Sequence, residues 1–154
     1  MKIDDIKITG KGGDQNWLVP PSVKYMAGMK TMTFSAVAKS STEPSGYQVI
    51  IQFLDVDKSD LVKDKDGDFA ITADTLRNKD CKVACHCMAY ILGGCLKGNI
   101  KHHCNLVSNK MLTDYERKTD NPNLTKNPNG DAQMCKHLAG LKDWIFNECD
   151  FVID

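Results

Sequence analysis

Two short stretches carry the chemistry of this chain. Cys85-His86-Cys87 offers two thiols two residues apart, and Cys135-Lys136-His137 offers a thiol and an imidazole at the same spacing. Three sulfurs and one imidazole nitrogen are ligand types that suit tetrahedral zinc. Residues i and i+2 of a strand face the same way, so a strand through Cys85 and Cys87 aims both at one ion. A helix starting near Cys135 favours thiolate there through its dipole. Cys104, with His102 and His103 beside it, is an alternative ligand. If it replaces His137, the set becomes four thiolates, Cys85, Cys87, Cys104 and Cys135, which suits a 4Fe-4S cluster. The Cys-x-His ending favours zinc.

The chain holds seven cysteines. An odd count excludes a complete set of internal disulfides, and in a reducing compartment clustered Cys and His are more often ligands than bridges. Disulfides, formed on exposure to an oxidising medium, stand as a third reading. Cys81, Cys95 and Cys149 read as packing residues.

Other chemistries find little support. A thiol hydrolase needs one poised thiolate, a base and an orienting third group in an open cleft. Here the sulfurs cluster and no further acid or base presents itself, so the expectation is that the chain is not an enzyme and has no small-molecule substrate. "GKGGDQ" lacks the phosphate-loop spacing. The Asp-rich "DVDKSDLVKDKDGD" cannot place Gly at the sixth position of a calcium loop that starts with Asp, and reads as a charged loop.

The elements that must position these ligands follow from patterning. Residues 1–20 are polar with Gly-Gly and Pro-Pro and read as an arm expected to lie on a neighbour. Residues 21–80 form a half containing a β-hairpin. Met32, Phe34, Ala36 and Ala38 alternate, "STEPSG" makes a turn, and Tyr47, Val49, Ile51 and Phe53 alternate again. A one- or two-turn helix follows, capped by Thr72 or Asp74. Residues 81–154 form the Cys/His half, within one compact domain. "CKVACHC" reads as a strand, residues 88–131 as irregular, and a final helix carries Met134, Leu138, Leu141 and Ile145, capped by Asn129 or Asp131. Val83 and Leu138 can pack behind the ligands. The fold class is α+β: a small antiparallel sheet, a metal-stapled irregular insertion and a C-terminal helix.

Twenty basic and twenty acidic residues cancel. A dedicated duplex binder usually carries a basic excess. Residues 80–140 hold eight Lys/Arg against five Asp/Glu, a local excess of three, so contact with nucleic acid stays open. No apolar run approaches the roughly 18 residues of a membrane span. The first residues lack the apolar core of a secretion signal, so the expectation is a protein made in the cytoplasm without membrane contact, for which the Asn123 sequon has no role.

Cys-x-Cys followed at a distance by Cys-x-His resembles the SWIM-type zinc finger, a ββα module, with Cys85, Cys87, Cys135 and His137 at the matching positions. The segment "ERKTDNPNLTKNPNGDAQMCKHL" resembles the approach to the Cys-Lys-His-Leu of SWIM-like proteins encoded by tailed bacteriophages. Those proteins share an insertion in the gap and an "NPN" turn before the last ligand pair. The residue after Cys-x-Cys, proline in most of them, is Met88 here. The resemblance covers about residues 81–146. It implies a SWIM-like ββα element with a structural metal, in a structural component of a tailed-phage virion made in the host cytoplasm, with other virion proteins as partners. The alternatives are a SWIM-like module binding nucleic acid in phage or host DNA metabolism, and a baseplate or tail protein stapled by an iron–sulfur cluster.

Overall fold

The alternating apolar residues of the first half build the sheet on which everything else rests. In this computed structural model, which describes residues 1–10, 12–106 and 127–154, strands β3 (Thr31–Ala38) and β4 (Tyr47–Phe53) form an antiparallel hairpin. Met32, Phe34, Ala36 and Ala38 of the first strand and Val49, Ile51 and Phe53 of the second are buried on one face. Phe34 meets Phe53 edge to face at 5.8 Å between ring centroids. The hairpin is extended on one side by β2 (Trp17–Met26) and on the other by β7 (Cys81–Cys85), giving a four-stranded antiparallel sheet ordered β2-β3-β4-β7.

The closing helix, α4 (Lys136–Asn147), covers the buried face. Leu138, Leu141 and Ile145 are fully buried, and Trp144 stands edge-on to Phe34 at 6.4 Å. Burying each such aliphatic side chain contributes about 1.5–3 kcal/mol, so the helix is held chiefly by the sheet. It begins later than the pattern predicts. Met134 belongs to a two-residue strand, β8 (Gln133–Met134), and the N-cap is Cys135, not Asn129 or Asp131.

Strands β5 (Val62–Lys63), β6 (Phe69–Thr72) and β9 (Val152–Ile153) make a three-stranded sheet. The end of the Asp-rich stretch is the hairpin turn between the first two, where the Asp64 carboxylate accepts from the backbone N–H of Asp66 and Asp68. Thr72 caps α1 (Ala73–Arg77), accepting from the Thr75 N–H.

Residues 1–10 and 12–20 are tied into the chain's own fold. Ile3 and Ile6 are buried in the core, and β1 (Lys7–Ile8) pairs in parallel with β8. The strand β2 runs across the expected boundary at residue 20. Its two prolines, Pro20 and Pro21, sit where the pairing register with β3 shifts. Proline lacks the ladder donor and is tolerated on an edge strand, which is why this strand did not read as one. The stretch 88–131 also holds more structure than its glycines and prolines suggest: α2 (Met88–Leu92) and α3 (Cys95–Lys101). The rest of that insertion, with Asn123, lies partly outside the described residues. No helix among the described residues is long and apolar enough to cross a membrane.

Candidate metal centre

The first ligand pair is delivered by the end of a strand and the start of a helix. Cys85 closes β7, directly opposite Val49 in the sheet. Cys87 lies past the strand and is the N-cap of α2, its sulfur accepting from the Tyr90 N–H at 3.3 Å. The alternation argument therefore holds for Cys85, while the turn into α2 aims Cys87.

The second pair is delivered by the start of α4. Cys135 is the N-cap and His137 the second helical residue, both buried. Three restraints fix where this helix begins. The Thr9 N–H and the Thr9 hydroxyl both donate to the Met134 carbonyl, at 3.0 and 3.1 Å. Asn99, fully buried, clamps Gln133 in two directions: its amide donates to the Gln133 carbonyl at 2.7 Å and its oxygen accepts from the Gln133 N–H at 2.8 Å. Asn127, in the left-handed conformation that asparagine tolerates, closes the "NPNG" turn. Its side chain donates to the carbonyls of Gly94 and Asp131 and accepts from the Asp131 N–H.

A buried polar network ties the two deliveries together. Asn99 donates to the Tyr90 hydroxyl at 2.9 Å, and that hydroxyl donates to Val83 of β7 and meets Asn105. Tyr90 and Asn99 thus link α2, α3, β7 and β8. Fully satisfied networks of this kind rigidify a core.

The result is a compact group. One ligand atom from each of Cys85, Cys87, Cys135 and His137 can be chosen so that all four lie within 4.8 Å of one another, and all four residues are buried. Nδ1 of His137 is 3.7 Å from the Cys85 sulfur, and its ring lies 6.0 Å from that of Tyr47. Val83 and Leu138, expected behind the site, are both fully buried in the core that also holds the ligand cysteines. A buried Cys3His cluster of this size could hold a metal ion.

Electrostatics within the group shifts the three thiols in different directions. Hydrogen bonds from Cys135 and Cys85, against the opposing effect of burial, push the Cys87 thiol far below its ordinary range, and the Tyr90 N–H adds to this. Burial first, and then the bonds to Cys135 and Cys87, push Cys85 up. Cys135 is drawn down by its bond with Cys85 but ends raised, because its bond to Cys87 and burial outweigh that. The thiol held lowest is therefore the one at the start of α2, where the sequence pointed to the start of the final helix.

Cys104 is not part of the group. Its carbonyl accepts from the Val83 N–H, and its charge bears on the Cys81 thiol. The four-thiolate set of Cys85, Cys87, Cys104 and Cys135 is thus not the one that the fold assembles. Cys81, Cys95 and Cys149 are buried in the core and lie outside the ligand group. Asn99 and Tyr90 carried no signal in the sequence, because a buried polar clamp depends on partners distant along the chain. Compared with protein-family models, with curated proteins and with solved structures, the chain gives no match in any of the three.

Proposed function

We propose that this is a non-enzymatic structural protein in which Cys85, Cys87, Cys135 and His137 hold one zinc ion. The observation that carries the reading is the four buried ligand atoms within 4.8 Å of one another. Around one zinc with bonds of about 2.3 Å to sulfur and 2.0–2.1 Å to nitrogen, tetrahedral ligand atoms stand roughly 3.5–3.8 Å apart. The 3.7 Å between Cys85 Sγ and His137 Nδ1 fits that spacing. A cubane cluster spreads its ligands around a body several atoms across and needs them farther apart. Four protein ligands close the coordination sphere, as in structural sites, whereas catalytic zinc keeps a position for water.

The ion would join β7 and α2 to α4, which follows them in the chain only after a long insertion. Binding free energy at such a site becomes folding free energy. The SWIM-like pattern of residues 81–146 supports placing this chain among structural components of a tailed-phage virion, with other virion proteins as its partners. Its zero net charge favours that role over autonomous binding to nucleic acid.

Elemental analysis and a visible spectrum of protein purified without oxygen test the metal. One colourless zinc per chain is expected, and iron with broad visible absorption overturns it. Duplex DNA at physiological salt tests the role. A dissociation constant no tighter than about 10⁻⁴ to 10⁻⁶ M, the range of non-specific binding, is expected. Salt-sensitive sub-micromolar binding would replace the virion role with a nucleic-acid-binding one.

A further inference from the structure

The loop from Gly12 to Asn16 crosses the first turns of α4, and the crossing is made possible by two glycines. A Cβ on Gly13 would lie 2.7 Å from the Cα and N of Gly140, and a Cβ on Gly140 would collide with the backbone of Asp14. The two main chains therefore touch where any side chain would separate them. The loop is pinned on both sides of the contact. The Asp14 N–H donates to the Lys136 carbonyl at 2.9 Å, and the Lys39 N–H donates to the Asn16 carbonyl at 2.9 Å. The Asp14 carboxylate is itself oriented, with Oδ1 accepting from the Asn16 N–H at 3.0 Å.

This arrangement leaves the other carboxylate oxygen, Oδ2, facing the imidazole of His137. It stands 3.9 Å from Nε2, while Nδ1 on the opposite side of the ring faces the Cys85 sulfur at 3.7 Å. Lys136 Nζ lies 3.8 Å from the same oxygen. An imidazole has two nitrogens, and a metal takes one. The partner of the other decides the tautomer and the ring angle. The carboxylate is within about 1 Å of hydrogen-bond distance from Nε2, and movement of a half-exposed side chain is enough to close it.

We propose that Asp14 is the positioning residue of the metal centre: it accepts from Nε2–H of His137 and so commits Nδ1 to the ion. The inference rests on the reading of Cys85, Cys87, Cys135 and His137 as ligands. It gives the Gly13–Gly140 contact a purpose, because only so close a crossing brings a residue from the start of the chain to the outer face of a buried histidine. Outer partners of ligating histidines contribute about 10–100-fold to metal affinity.

The test uses the full chain loaded with zinc. Affinity is measured by competition with a chelator for wild type, Asp14→Ala and Asp14→Asn, and the protonated nitrogen of His137 is read by nitrogen NMR of the imidazole. The expected results are Nε2–H in the wild type, an affinity lower by about 10–100-fold in Asp14→Ala, and a smaller loss in Asp14→Asn, whose amide oxygen still accepts. Circular dichroism of the zinc-saturated variants should match the wild type. Equal affinities of wild type and Asp14→Ala, or zinc on Nε2, overturn the proposal while leaving the metal reading in place. A wild type that binds no zinc defeats the metal reading itself. If Asp14→Ala fails to fold, Asp14→Asn and the wild-type tautomer still decide.

Discussion

Val49 of β4 stands directly opposite Cys85 of β7. The pairing places a metal-ligating candidate at the end of a sheet whose register is set by the hairpin, so the geometry of the Cys85 sulfur depends on side chains far from it. Sliding the pair by one residue would turn Cys81, Val83 and Cys85 away from the core. The position of that sulfur is therefore set by the register of the whole sheet.

Removing a ligand should remove the metal. Cys85→Ser and Cys135→Ser are expected to lose stoichiometric zinc and to melt far below the wild type, because structural zinc contributes about 10–16 kcal/mol of binding free energy in small domains. Cys149→Ser, near the end of the chain and outside the ligand group, should keep its zinc. Metal content after dialysis and thermal unfolding check both; unchanged zinc in Cys135→Ser would count against the ligand assignment.

The sheet–helix interface is predicted to be equally sensitive through packing. Phe34 is fully buried and touches both Phe53 and Trp144 edge to face. Phe34→Ala should cost about 3–5 kcal/mol, read from urea unfolding of the zinc-loaded protein at constant slope.

Deleting residues 1–20 should damage the centre. The deletion removes Ile3 and Ile6 from the core, the β1 partner of β8, and the Thr9 bonds that fix the start of α4. Loss of zinc affinity together with cooperative unfolding is expected. A truncated protein that holds zinc like the full chain would show that this segment is dispensable.

Acid should release a smaller stabilising contribution at Asp60. Its hydrogen bond from Lys79, with the Asp57 backbone N–H and against some desolvation, lowers its carboxyl below the ordinary value. A lowered folded-state pKa stabilises above the unfolded value and the effect is lost as pH falls through the folded one. For a pair this near the surface the contribution is no more than about 1 kcal/mol. Asp60→Asn should narrow the stability difference between neutral pH and pH about 3 by that amount, measured by denaturant unfolding.

Thiol chemistry should separate buried packing cysteines from the rest. Burial pushes the Cys81 thiol up to about 12, so it stays neutral at ordinary pH. Iodoacetamide should leave Cys81 unmodified in the folded protein and label it after denaturation, as mass spectrometry of the peptides would report. Rapid labelling of Cys81 in the native state would show that its environment opens.

Local chemistry made part of this molecule legible in advance. The alternation of Met32, Phe34, Ala36 and Ala38 with Val49, Ile51 and Phe53 specifies a hairpin, since a period of two cannot be satisfied by a helix. Thr72 announces a helix start, and Leu138, Leu141 and Ile145 announce a helical face. The equal spacing within Cys85/Cys87 and Cys135/His137 marks four ligand candidates, because residues two apart can share an ion without help from the rest of the chain. Long-range packing decided the remainder. Ile3 and Ile6 are core residues in a segment with no periodicity, and β2 is a strand in spite of Pro20 and Pro21 because its unpaired edge needs no donors there. Cys104 lies outside the ligand group that the fold gathers, a matter on which the order of residues is silent. Asp14 reaches His137 only because Gly13 and Gly140 let two backbones touch across more than a hundred positions of sequence. Spacing along the chain governs which neighbours can act together, whereas proximity between distant residues exists only once the sheet, the helix and the crossing loop have packed.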